Sequence, residues 1–200
     1  MLKDKKWQDK WINKNNWPES RFAKRVYLFI KNKKLETVLD LGCGGGRDSK
    51  YFSQKGYKVV ALDIMVSQSQ QEKLKHDHIK FIKSDIRNIK IKNDSFDIIY
   101  AHLSLHYFDD RTTDKIFSKL YKILKPGGYI FIKCKSINDP LFGKGKKIEE
   151  NIYKSDYLRH FFSKNYMNEK LKNFKIIKIF KTNVFKHPGK ASFIEAFARK

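Results

Sequence analysis

The stretch VLDLGCGGGRDS, from Val38 to Ser49, holds the feature from which the rest of the chain can be read. An apolar run ends in an acid, and glycine then fills four of the five positions from Gly42 to Gly46. Glycines at a strand-to-helix junction let backbone come close to a ligand. The dinucleotide pattern G-x-G-x-x-G anchored at Gly42 needs its last glycine at position 47, where Arg47 stands. The loop reads better as acid-x-Gly-x-Gly-x-Gly, with Asp40 at the end of the strand. A carboxylate there suits a ligand with a positive amino group; it opposes a pyrophosphate, which takes a helix N-terminus free of negative charge.

Outward from this loop, short β-branched or aromatic runs alternate with helical periods, the order of a parallel sheet covered on both faces. Pro18 and Glu19 precede a helix over Arg21 to Lys31, with Phe22, Val26, Phe29 and Ile30 on one side. Strands are expected at Thr37 to Leu41, Lys58 to Asp63, Ile79 to Ser84, Phe96 to Leu103 and Tyr129 to Lys135, with helices from about Asp48 to Lys55 and over Thr112 to Leu124. Lys125-Pro126-Gly127-Gly128 reads as the second helix's terminator. Beyond a last helix at Lys164 to Lys172, Phe174 to Thr182 and Ser192 to Ala198 alternate like strands, joined through His187-Pro188-Gly189. So short a join makes them antiparallel and gives the sheet one reversed strand at its end. The expected fold is α/β, Rossmann-like and doubly wound: a seven-stranded, mostly parallel sheet with an antiparallel C-terminal strand.

Three acids fall at expected strand ends. Asp63 follows Asp40 by 23 residues and Asp85, in KSDIRN, comes 22 later. In open α/β sheets ligands lie outside the carboxyl ends of the strands, so these acids line one crevice. A carboxylate at Asp63 can accept both hydroxyls of a ribose, and a ligand made of an amino acid, a ribose and an adenine fits the three positions. The plainer alternative is that the glycines serve close packing and the aspartates cap helices.

At this point the chain resembles the class I S-adenosylmethionine-dependent methyltransferases. VLDLGCGGGRDS resembles their first motif, VVALDI their ribose-binding strand, IKSDI their adenine-site segment, FDIIYAHLSLHYF their fourth strand and LKPGGYIFI the entry to their fifth, in register over about residues 35 to 135. The resemblance implies S-adenosylmethionine as cofactor, with Asp40, Gly42, Cys43 and Gly44 at its methionine end and Arg47 paired with its carboxylate. It further implies Asp63 and Ile64 at the ribose, Asp85 and Ile86 at the adenine, and His102 near the methyl group. The segment from RHFFS to the C-terminus is similar to tellurite-resistance-type and thiopurine-type enzymes, which implies a soft or anionic small acceptor.

Methyl transfer from a sulfonium is an in-line displacement with a pre-activated leaving group, so aligning the acceptor supplies much of the acceleration. His106, just past the fourth strand, is the candidate to accept a proton or orient the acceptor; the alternative is a histidine satisfied by backbone in a tight loop. Trp7 and Trp11 share a helical face in WQDKWINKNNW, as core or as part of a lid over residues 1–32. Residues 35–136 form the expected cofactor-binding core. The 137–200 portion supplies an acceptor-side insert with Tyr153, Tyr157, Arg159 and His160, then the last helix and hairpin.

Composition sets the outer bounds. Two hundred residues suit a single domain. No apolar run approaches the roughly 20 residues of a membrane span and the start is charged, so a cytoplasmic protein without membrane attachment is expected. Cys43 and Cys134 lack metal-like spacing, and neither a disulfide nor a metal is expected. The formal charge of +23 invites a nucleic-acid reading. Yet 7 of the 44 basic residues are Arg, leaving 37 Lys spread along the chain among many Ile, Asn, Phe and Tyr, the signature of A/T-rich codons. The arginine fork that reads phosphates and base edges is scarce. A small-molecule acceptor is therefore preferred, with RNA methylation second and a non-catalytic module of this fold third.

Overall fold

The computed structural model of the protein describes residues 18–65, 78–186 and 189–200. Its main sheet has seven strands in the order β3-β2-β1-β4-β5-β10-β9. The elements that precede the reversal of that order are α1 (Arg21–Ile30), β1 (Thr37–Leu41), α2 (Arg47–Gln54), β2 (Lys58–Asp63) and β3 (Ile79–Lys83). β4 (Phe96–His102), α3 (Asp110–Ile123) and β5 (Leu124–Lys135) follow. Because β1 pairs in parallel with both β2 and β4, the sheet grows outward in both directions from β1, and the carboxyl ends of β1 and β4 flank the switch point.

Period-two alternation divides the strands between two apolar layers. Val38, Ile98, Tyr100, Phe131 and Phe197 face α1 and α2 with Phe22, Val26, Ile30 and Phe52. Leu39, Leu41, Ile99, Ala101, Ile130 and Ile132 face α3 with Ile116, Phe117, Leu120 and Ile123. Burial on both sides is what a parallel sheet requires. α1 begins where Ser20 Oγ accepts the Ala23 N–H at 3.0 Å, and it seats Phe22, Val26 and Ile30 at intervals of four on the sheet. Each such side chain contributes roughly 1.5–3 kcal/mol of burial.

Lys125 to Gly128 lies inside β5 and not between helix and strand. Leu124 already pairs with Phe96, and the register then slips before Ile98 meets Tyr129, so the glycines form a bulge. A Cβ on Gly128 would meet the Asp97 and Lys125 carbonyl oxygens at 2.9 Å, which is why the helix can run directly into the strand only with glycine there.

The C-terminal strands are β9 (Lys175–Lys186) and β10 (Gly189–Arg199). β10 is the reversed strand and pairs with both β5 and β9, so it lies one place in from the edge and β9 closes the sheet, parallel to β5. The physical reason is visible in the sequences: residues 193–198 are buried on both faces, whereas lysines along β9 suit a solvated edge that resists further pairing.

The insert after β5 holds strands that its sequence pattern does not announce. β6 (Lys146–Glu149), β7 (Ile152–Lys154) and β8 (Leu158–His160) form an antiparallel three-stranded sheet, followed by α4 (Lys164–Lys170). Phe162 N–H donates to the Lys135 carbonyl at 2.7 Å and returns the insert to the end of β5, over the carboxyl edge of the main sheet. No described helix is long and apolar enough to cross a membrane.

Candidate active site

The glycine loop is held from both sides. Gly42, Gly44 and Gly46 have φ of 77°, 55° and 77°, a region in which side-chain-bearing residues are strained. Gly42 N–H and Cys43 N–H both donate to the Leu62 carbonyl, at 2.7 and 3.1 Å. Asp63 Oδ2 accepts the Gly44 N–H at 2.9 Å and its Oδ1 accepts the Met65 N–H at 2.9 Å, so the end of β2 clamps the loop that follows β1. Burial raises the Asp63 carboxyl above its usual range against these backbone bonds. A Cβ on Gly42 would collide with Ser104 Cβ, and Ile86 Cδ1 lies 3.5 Å from the same point. Ser104 Oγ donates to the Leu41 carbonyl at 2.5 Å, closing the floor between β1 and the segment after β4. Ser104 is a contact that spacing along the sequence does not reveal. Ile64 adjoins Asp63 and is part-exposed.

Asp40 departs from the expected ionised ligand for an amino group. It is 2% exposed, and Oδ2 accepts from Ser49 Oγ at 2.6 Å. Burial and the neighbouring Asp48 and Asp63 push its pKa up to about 8 against the Ser49 bond, so at neutral pH it is mostly protonated. The buried carboxylate that stays ionised is Asp48, which the sequence reading passed over. Asp48 Oδ1 accepts the Ser20 N–H at 2.8 Å, while Oδ2 accepts Ser20 Oγ at 2.8 Å and Tyr100 Oη at 2.7 Å. Burial opposes its charge, but these bonds with His102 and the nearby Arg47 hold the carboxyl well below the usual range. His102 Nδ1 lies 3.1 Å from Asp48 Oδ2. Burial and Lys133 keep the imidazole neutral despite Asp48, so Nδ1 carries the proton it donates. Lys133 itself is tied to the fully buried Glu195 at 3.0 Å, and Arg25 joins the same carboxylate at 2.5 Å.

The remaining cofactor-side candidates are placed as follows. Arg47 opens α2 with Nε 3.6 Å from Asp48 Oδ1, and its side chain is part-exposed. Cys43 Sγ contacts the Gly44 carbonyl at 3.7 Å, and burial beside Asp40 and Asp63 keeps it a thiol. Asp85 receives Arg87 Nε at 3.0 Å and Nη2 at 2.5 Å, and also the Arg87 N–H at 2.8 Å. An adenine amine would share that carboxylate with Arg87, while Ile86 offers an apolar wall against the glycine loop.

On the acceptor side, the turn Leu105–Tyr107 packs against β5 and β8. His106 is 2% exposed, its ring 4.3 Å from that of Tyr107, and its Nδ1 has no hydrogen-bond partner. Tyr157 is buried, and Arg159 stacks over it at 5.7 Å. Electrostatic coupling runs from Arg159 to both His106 and Tyr107, so this part of the predicted set converges. His160 is buried against Tyr166, with Nδ1 3.5 Å from its hydroxyl, and so backs the site from the α4 side. Tyr153 lies opposite Arg159 across β7 and β8 and packs on Phe142 and Phe161, at 5.2 and 6.1 Å. Trp7 and Trp11 lie outside the described residues.

Residues 39–132 match the family described as methyltransferase domain. A malonyl-(acyl-carrier protein) O-methyltransferase of Pectobacterium atrosepticum is 33% identical over 93 residues, 46% of this chain and 36% of that protein. Phosphoethanolamine N-methyltransferase 1 of Triticum aestivum is 31% identical over 139 residues, 66% of this chain and 26% of that protein. The chain thus spans about a third of the first relative's length and a quarter of the second's. In fold it is similar to the crystal structure of Burkholderia thailandensis 1,6-didemethyltoxoflavin-N1-methyltransferase with bound 1,6-didemethyltoxoflavin and S-adenosylhomocysteine. The TM-score is 0.72 at 19% identity, covering 90% of this chain and 76% of that one. The family match stops at residue 132, so it does not single out the tellurite- or thiopurine-type branch suggested by the C-terminal segment. The methyltransferase-domain match thus runs from within β1, through the glycine loop, to within β5.

Proposed function

We propose that the protein is a methyltransferase that uses S-adenosylmethionine to methylate a small-molecule acceptor at the carboxyl edge of β4 and β5. The observation that carries this is the clamp of Asp63 on Gly44 beside a Gly42 that leaves no room for a side chain. The fit to the cofactor is good on the same ground: left-handed glycines present backbone at close range, and each Asp63 oxygen keeps a lone pair for a ribose hydroxyl. When bound, the cofactor supplies a methyl group already activated on sulfur. Gly42 and Gly44 hold its methionine end and Arg47 its carboxylate. Asp63 and Ile64 hold the ribose, Asp85 and Ile86 the adenine, and His102, oriented by Asp48, flanks the transfer point.

His106 orients the acceptor or takes its proton. Of the expected lid over residues 1–32, α1 is packed core; residues 35–136 act as the cofactor core and 137–200 as the acceptor side of a single domain working in the cytoplasm. The lysine-rich surface leaves RNA as the second reading of the acceptor.

Calorimetry against S-adenosylmethionine, S-adenosylhomocysteine and NADH at two salt concentrations tests the reading. Micromolar binding of the first two without NADH supports it; binding of NADH alone overturns it. Turnover with small acceptors, against turnover with RNA, then separates the two acceptor classes.

A further inference from the structure

We propose that the acceptor is recognised through an oxyanion, a carboxylate or phosphate group, held between His106 and Arg159 where the turn Leu105–Tyr107 meets β8. The inference deepens the methyl-transfer reading above and rests on it.

Two features of the backbone and side chains there ask for a ligand. His106 Nδ1 is one of two buried side-chain polar atoms without a hydrogen-bond partner among the described residues, the other being Ser192 Oγ. Leaving a buried polar atom unpaired costs on the order of 1–3 kcal/mol, and native structures rarely do so without a use for it. Three residues earlier, Leu103 adopts φ of 61°, a left-handed conformation that is an outlier for a bulky side chain and costs on the order of 1–3 kcal/mol. The Leu103 N–H donates to the Lys133 carbonyl at 2.8 Å, so the strain sets the path of the turn off β5. A strained turn that presents an unpaired buried imidazole is arranged for a partner that the chain itself does not provide.

Charge decides which partner. Burial first, and then Lys135 and Arg159, drive the proton off His106, so this atom sits in a positive field. Lys135 is answered by Asp139 at 2.7 Å. Arg159 is not: its Nη1 donates to Ser155 Oγ at 2.8 Å and its plane lies over Tyr157, and among the described residues no carboxylate pairs with it. A cationic acceptor group would be repelled from this place, and an apolar one would leave His106 Nδ1 without a partner and the guanidinium without a counter-charge. An oxyanion takes a hydrogen bond from Nδ1–H and a charge-assisted pair from Arg159, whose planar fork matches it.

The test uses the full chain saturated with S-adenosylhomocysteine and titrates it with inorganic phosphate, malonate and, as the neutral probe, glycerol. Phosphate or malonate is expected to bind with glycerol silent, and the stronger of the two names the acceptor's group. Arg159→Gln, at a part-exposed position, should weaken that binding about tenfold or more while leaving affinity for S-adenosylhomocysteine unchanged. His106→Asn should do the same, and the ¹⁵N shift of His106 Nδ1 in the parent should move on titration. Lys115→Met, at an exposed position of α3, controls for general attraction to a basic protein and should change nothing.

Anion binding that survives Arg159→Gln within twofold, or anions no better than glycerol, overturns the proposal with the methyl-transfer reading intact. Failure of S-adenosylhomocysteine to bind overturns both.

Discussion

His102 Nδ1 and Asp48 Oδ2 lie 3.1 Å apart, joining residues 54 positions distant in the chain at the point where β4 ends and α2 begins. Ser20 and Tyr100 converge on the same carboxylate, so one ionised group fastens the start of α1, the first turn of α2 and the end of β4. Replacing it by Asn sets an amide N–H₂ against at least one donor among the Ser20, Tyr100 and His102 groups. We expect Asp48→Asn to lower unfolding stability by ~3 kcal/mol, read as a lower urea midpoint at unchanged slope. The sign with pH follows from the depressed folded-state pKa. The contribution is fully present above about pH 4, the unfolded value, and fades as pH falls below it, so parent and variant should converge on acidification. A gap that persists unchanged at pH 2 would show that packing, and not charge, is what the substitution disturbs.

Asp40 carries the opposite sign. Its folded-state pKa of about 8 lies above the unfolded value, so the folded chain binds a proton that the unfolded chain has released between about pH 4 and pH 8. Over that window the carboxyl's contribution falls as pH rises, at up to about 1.4 kcal/mol per pH unit. Asp40→Asn keeps an oxygen for Ser49 Oγ and removes the titration. The variant should gain stability relative to the parent steadily from pH 5 to pH 8 by chemical unfolding. A flat difference would mean that Asp40 is ionised throughout.

The contrast between these two acids shows what the sequence could carry. Asp40 stood out because it ends an apolar run before glycines, and the strands were legible because both faces of a parallel sheet are buried and their residues are almost uniformly apolar. Asp48 looked like an ordinary acid in a helix's first turn; its partners Ser20 and Tyr100 are 28 and 52 residues away, and nothing local marks them. β6 to β8 are not legible because KKIE is exposed throughout and β7 and β8 are three residues long, too short to show alternation. The place of β10 inside the sheet was decided by a comparison between two strands, lysine-rich against apolar, that neither shows alone. His106 was found by its position after β4, but that its Nδ1 is unpartnered is a property of the packed turn.

Gly42 meets two independent constraints, a φ of 77° and a Cβ position already taken by Ser104 Cβ. Gly42→Ala should lose about 2–3 kcal/mol of stability and abolish measurable cofactor binding, because the loop must move off the Leu62 carbonyl. Pairing it with Ser104→Gly relieves the collision and leaves the backbone strain of about 1–2 kcal/mol. The double variant should therefore recover part of the stability and not all of it. Full recovery would assign the whole effect to the steric contact; no recovery would assign it to the dihedral.

Asp63 is the position where loop architecture and ligand recognition meet. Its oxygens accept the Gly44 and Met65 N–H groups at 2.9 Å each, and the same oxygens are those offered to the ribose. Asp63→Ala removes both functions and should weaken S-adenosylhomocysteine binding by about 1–3 kcal/mol, measured calorimetrically. Asp63→Asn separates them: one amide oxygen still accepts a backbone N–H, but the amide nitrogen faces the other N–H and cannot accept a ribose hydroxyl. If the carboxylate's part is recognition, Asn should bind nearly as weakly as Ala while unfolding closer to the parent. If its part is only to close the loop, affinity and stability should fall together in both variants, and the ribose would have to be held elsewhere.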